Sequence, residues 1–160
     1  MTKHFIAALV AAIAGDASAQ ISFEDAVIAE LRCERDPSPL PILEALDAAG
    51  LIDPERNEGF DSMSCFRIEG GVLIRGLRFD SICAHEEDED IRAQRPDLLY
   101  RGPGTSPGQR IDLGTSAPRD VVRGWHAQNV GTIPPDEAIS TEYTNMGDAV
   151  DVSCSSWLIR

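Results

Sequence analysis

Lysine is nearly missing: Lys3 is the only one in 160 residues, so the remaining strong cations are all arginine. Chemistry that needs an amine able to lose its proton, or to reach a phosphate as a point charge, is thereby excluded beyond residue 3. Schiff-base catalysis, a Walker-type phosphate lysine and a lysine general base all fall. The bias is that of a coding preference for Arg, Ala, Gly, Asp and Pro. Cys-x-x-Cys is also absent, which removes thiol exchange of the thioredoxin type. There is no Gly-x-Ser-x-Gly elbow, so a hydrolase nucleophile lacks its usual setting. Excess positive charge is lacking too: the chain carries −13 at pH 7. A surface of that sign repels phosphate backbones, so no nucleic-acid partner is expected, and the charge serves solubility before anything else.

Long apolar runs are lacking with one exception, at the start. Lys3 and His4 make a short polar beginning, Phe5 to Gly15 is apolar but too short to span a bilayer, and Ala17-Ser18-Ala19 places small residues at the −3 and −1 positions. This is the pattern of a cleaved signal peptide, residues 1–19, with the mature chain starting at Gln20. No cysteine stands at the cleavage point to carry a lipid anchor. No other stretch approaches the roughly 18 apolar residues a membrane helix needs, so residues 20–160 are expected as one periplasmic or secreted domain with no membrane insertion after cleavage. Lys3 and Asp16 cancel, so the acidic balance survives processing.

An oxidising compartment turns Cys33, Cys65, Cys83 and Cys154 into a pair of structural disulfides, since their spacing matches no zinc knuckle. Two Gly residues between strand-forming runs, Gly70-Gly71 between Ser62–Glu69 and Val72–Ala84, mark a β-hairpin turn. That turn sets Ile68 opposite Leu73 and Phe66 opposite Arg75, and puts Cys65 and Cys83 on opposite faces. A bond between those two would need a bulge or a different turn. The expected pairs are therefore Cys33–Cys65 and Cys83–Cys154.

The rest of the chain reads as α+β. Ser22 caps a first helix over about Phe23 to Cys33, and Pro37-Ser38-Pro39 breaks it. A second helix begins near Ser38 or Pro39, points Leu43, Leu46 and Ala49 inward, and stops at Gly50. After the hairpin, a brief helical turn occupies Ile91 to Gln94. Gln109 to Gly114 supplies a third strand, and a helix starting near Ser116 and Pro118 carries Val121, Val122 and Trp125. A last strand runs from about Ala149 to Ile159 with Val150, Val152 and Cys154 on one side and Trp157 on the other.

Candidate chemistry is thin. His85 precedes Glu86-Glu87-Asp88-Glu89-Asp90, which offers oxygen ligands but not at calcium-loop spacing, so a solvated acidic turn is the better reading and no metal or cofactor is expected. His126 follows Trp125 on a helix and points elsewhere. The loop from Tyr100 to Gly108 joins an aromatic ring to Arg101 on a proline-stiffened backbone, a combination suited to docking, though Gly-Pro-Gly and Ser-Pro-Gly are also ordinary turn chemistry. The expectation is a non-enzymatic binding or inhibitory protein of the cell envelope, with Tyr100 and Arg101 as binding candidates and an envelope or secreted protein as partner. The alternatives are a small envelope enzyme or metal binder that uses clustered carboxylates with His85 or His126, and a structural role in an envelope assembly.

Overall fold

A computed structural model describes residues 16–59, 62–100, 105–141 and 144–159, with side chains from residue 23 onward. Five antiparallel strands form one sheet in the order β1-β2-β3-β5-β4. They are β1 (Ser64–Ile74), β2 (Leu77–His85), β3 (Arg110–Thr115), β4 (Ile139–Ser140) and β5 (Val150–Ser155). Helices α1 (Asp16–Leu31), α2 (Leu40–Ala48) and α4 (Arg119–Asn129) supply apolar side chains to the core, with α3 (Glu89–Gln94) and α5 (Pro135–Ala138) as short connectors. The result is a small α+β domain tied by two disulfides, as its sequence implies.

Alternation along each strand decides which face meets the helices. Phe66, Ile68, Val72 and Ile74 on β1, Ile111 and Leu113 on β3, and Val150, Val152 and Cys154 on β5 all enter the main core. They pack with Val27 and Leu31 from α1, Leu43 and Leu46 from α2, and Val122 and Trp125 from α4. Trp125 meets Phe79 edge to face at 5.3 Å, and its indole N–H donates to the Ile74 carbonyl at 2.9 Å, so its one polar atom is satisfied inside the core.

Three expectations are corrected. The hairpin turns at Arg75-Gly76, between the paired residues Ile74 and Leu77, and not at Gly70-Gly71. Both turn residues have positive φ, 48° and 81°, as the commonest two-residue hairpin turn requires. Gly70 and Gly71 also have positive φ, but they form a bulge: the pairing passes from Arg67↔Ser81 to Val72↔Phe79, leaving four β1 residues against Asp80 alone. This register buries Val72 and Ile74, whereas Leu73, the partner expected for Ile68, is 58% exposed.

The disulfides follow from that register. The bulge changes which residues face each other, so Cys65 lies directly opposite Cys83 and the two are bonded, with Cα atoms 4.1 Å apart. Cys33, just past α1, bonds Cys154 in β5 with Cα atoms 5.5 Å apart, locking helix to sheet. The expected pairs Cys33–Cys65 and Cys83–Cys154 do not form, because both a different turn and a bulge are present. The first helix is also longer than expected. It starts at Asp16 and passes through Ser22 without a break, since no Gly or Pro interrupts Asp16 to Ser22. Of residues 1–19, expected as a signal peptide, residues 1–15 lie outside the described residues.

Candidate functional site

The face of the sheet turned away from the helices is polar, and the registers put its side chains in rows. One row runs Cys65, Cys83, Asp112, Ser153; the next runs Arg67, Ser81, Gly114, Asp151; a third has His85, Arg110 and Ser155. Most of these residues are nonetheless buried, because loops lie over them. Met63 and Met146 close over the Cys65–Cys83 bond to make a second, small apolar cluster.

The loop preceding β5 is strapped to this face by hydrogen bonds. Asn145 donates from one side-chain amide to both Asp112, at 2.6 Å, and Asp151, at 3.1 Å, and its backbone N–H adds a bond to Asp151 at 2.8 Å. Arg110 Nε lies 2.9 Å from both oxygens of Asp112. Asp148 takes an Arg67 guanidinium N–H at 2.8 Å and the Ser81 hydroxyl, while Arg67 also bonds the Met146 carbonyl. Gly114 permits this approach: a Cβ there would collide with Ser81 Oγ and the Asp148 carboxylate. Burial pushes the Asp151 carboxyl up to about 6, and the charges of Asp112 and Asp148 push the same way, against the Asn145 N–H and the more distant Arg110. A strongly shifted acid is a mark of catalytic sites. Here every carboxylate of the cluster is already engaged by donors, and none of the three lines the neighbouring groove. The cluster works as a strap.

That groove, about 400 Å³, lies where β4 ends. β4 pairs with β5 only at Val152 and Asp151, and the chain before it coils into α5 instead of following β5 further. Arg110, Ser153 and Ser155 line one wall; Arg119, Asp136 and Ala138 belong to the helical side; Trp157 and Leu158 follow β5. Trp157 is 69% exposed, the most exposed large apolar side chain among the described residues. Its pyrrole edge rests on Gly108, where a Cβ would stand 3.0 Å from Nε1 and 3.1 Å from Cδ1. Arg110 spends only Nε on Asp112, and no described residue takes its two terminal nitrogens. Arg119 pairs with Asp136 at 3.3 Å. A second cavity, about 540 Å³ beside the Gly70-Gly71 bulge, is larger but is lined by the bulge glycines, Leu51, Val72 and Leu73 with Glu24 and Arg78, and has no aromatic ring.

The residues singled out from sequence do not converge. His85 is buried and its Nδ1–H donates to the Ser62 carbonyl at 2.9 Å. His126 is fully buried on α4 with neither ring nitrogen bonded to a described residue, and burial lowers its pKa. The acidic run serves local structure: Asp88 caps α3 by accepting from Asp90 and Ile91, and Glu87 takes the Ser106 hydroxyl. Glu86 is buried and accepts from the Asp88 N–H through one oxygen only. No group of three or more His, Cys, Asp and Glu with metal-binding geometry occurs among the described residues. Tyr100 is half-buried and its N–H donates to Ser64 Oγ. Arg101 lies outside the described residues. The described end of that loop, Thr105 to Gly108, runs to the ring of Trp157, a residue that the sequence marks only as facing away from the core. The signal for Arg110, Asp112, Asp151, Ser153 and Ser155 was present in the strand alternation, as the complement of the apolar set. Asn145 and Asp148 lie outside any periodic element and left no such signal.

Comparison with protein-family models, with curated proteins and with solved structures found no match to this chain. No helix among the described residues is long and apolar enough to cross a membrane.

Proposed function

We propose that residues 20–160 act as an exported, non-enzymatic binding protein of the periplasm or of the secreted fraction, and that the groove beside Trp157 is where the partner is held. The observation that carries this is the indole of Trp157. A ring of that size contributes strongly when buried, yet here it stands in solvent at 69% exposure over a concave, hydroxyl-bearing wall. Two buried disulfides support the oxidising compartment.

The test is site-specific photo-crosslinking in the native host, with a photoreactive phenylalanine analogue at position 157 and, as controls, at Leu73 and Val121, the other large exposed apolar positions among the described residues. A discrete adduct at 157 alone, on protein whose N-terminus is Gln20, is the expected result. Equal labelling at all three sites, or none at 157, overturns the reading, and an intact Met1 terminus removes the export. The alternative, an enzyme built on clustered carboxylates, draws on the raised pKa of Asp151 alone.

A further inference from the structure

We infer that the groove beside Trp157 takes a neutral saccharide unit, one sugar ring lying against the indole and its hydroxyls bonded by the opposite wall. This rests on the binding reading above and adds the chemical class of the ligand. The lining sets that class by elimination. An apolar ligand would leave the terminal nitrogens of Arg110 desolvated and unmatched. An anion meets a chain of net charge −13 and the carboxylate of Asp136 at the rim. A cation is drawn by that same field but finds Asp136 already paired with Arg119 and Arg123, and it faces Arg110, whose terminal nitrogens are left over from its bond to Asp112.

A polyol avoids all three conflicts. Its hydroxyls both donate and accept, so they match guanidinium, carboxylate and serine groups together, here Arg110, Asp136, Ser153 and Ser155. The flat C–H face of a pyranose finds its counterpart in an exposed aromatic ring, and the indole of Trp157 lies with its edge against Gly108 and its surface largely open to solvent. The size agrees, since about 400 Å³ is near the low end of the range of small-molecule sites.

The chain has two tryptophans, one on each side of this question: Trp125 is buried and hydrogen-bonded in the core, Trp157 is exposed. Amide-correlation NMR on the ¹⁵N-labelled processed protein therefore gives two indole signals, one reporter and one internal control. The probes are chitotriose, cellotriose, maltotriose and mannotriose, with tetra-arginine and inorganic phosphate as charged comparators. At least one neutral trisaccharide is expected to move the Trp157 signal saturably and leave Trp125 in place. W157A should weaken that binding about tenfold or more, with W157F keeping part of it. If only tetra-arginine or phosphate moves the signal, the saccharide inference is overturned and the binding groove stands. If no probe moves it, the inference is overturned and the groove is judged by crosslinking at position 157.

Discussion

The two faces of the sheet are built by different forces. On the helix side, Phe66, Phe79, Ile111, Leu113 and Val152 are removed from water together, and a roughly correct volume of apolar side chains is sufficient for cohesion. On the other side, Asp112, Asp148 and Asp151 are held among Arg67, Arg110, Asn145 and Ser81, where each bond depends on a partner at one distance and angle. A disulfide secures each face: Cys33–Cys154 ties α1 to β5, and Cys65–Cys83 crosses the hairpin beneath the strapped loop. The first kind of order is cooperative and tolerant; the second is local and exacting. A partner seated on the second can meet polar groups already fixed in direction.

The largest way to sharpen the contrast is to remove each bond in turn. The sequence separation is 121 for Cys33–Cys154 and 18 for Cys65–Cys83. In the chain-entropy model the longer closure stabilises by about 5 kcal/mol and the shorter by about 3 kcal/mol. The double variant C33A/C154A should thus lower the denaturant midpoint more than C65A/C83A, measured by circular dichroism. The reverse order would place the greater share of stability on the strapped face.

Next come two buried ionisable groups with shifted pKa values, one on each side, which act on stability with opposite sign. Asp151 has a folded pKa of about 6 against an ordinary 3.8, so its folded form prefers the proton. The stability it contributes is complete below about 3.8 and is lost as pH rises through about 6. His126 has its pKa lowered from 6.5 by burial, so its folded form resists the proton. Its contribution is present above 6.5 and is lost as pH falls below that value. The wild type should therefore show a shallow dependence in mildly acid solution, where the two oppose each other. D151N should expose a steady loss of stability on acidification. H126L, which removes two ring nitrogens with no bonding partner among the described residues, should do the opposite and gain stability as pH falls from 6.5 toward 4. Melting temperature against pH for the two variants reads this directly, and parallel curves would mean the two faces share one titration.

The same contrast explains what could be read before the fold was known. The α+β class, the four bonded cysteines, helices α2 and α4, and the apolar sides of β3 and β5 all follow from periodicity and capping, which are local and repeat along the chain. The hairpin register did not follow. Gly70-Gly71 is the stronger local turn signal, but burial of Val72, Ile74, Leu77 and Phe79 under the helices favours a turn at Arg75-Gly76, and tertiary packing outweighs a local preference worth a few tenths of a kcal/mol or so. The disulfide pairing was missed for a related reason: a regular hairpin with either turn leaves Cys65 and Cys83 on opposite faces, and the bulge at Gly70-Gly71 moves Cys65 to the face of Cys83. Of the groove, the strand serines and Arg110 were legible as the polar complement of core residues. Trp157 was visible only as a ring facing away from the core, and α5 and β4 are too short to leave a period.

The smallest expected effect concerns the turn itself, and its value lies in its sign. Arg75 sits at φ 48°, a region that costs most side chains about 1 kcal/mol and costs Asn less. Its guanidinium also pairs with Asp25 and, at 3.8 Å, with Glu24 on α1, contacts open enough to solvent that salt screens them. In high salt, R75N should therefore raise stability by a few tenths of a kcal/mol, read as a small upward shift in the denaturant midpoint. Were the hairpin to turn at Gly70-Gly71, position 75 would lie in an extended strand, where Asn is among the poorest residues, and the same substitution would lower the midpoint. A rise thus supports the turn at Arg75-Gly76, from which the Gly70-Gly71 bulge then brings Cys65 opposite Cys83, and a fall speaks against that turn.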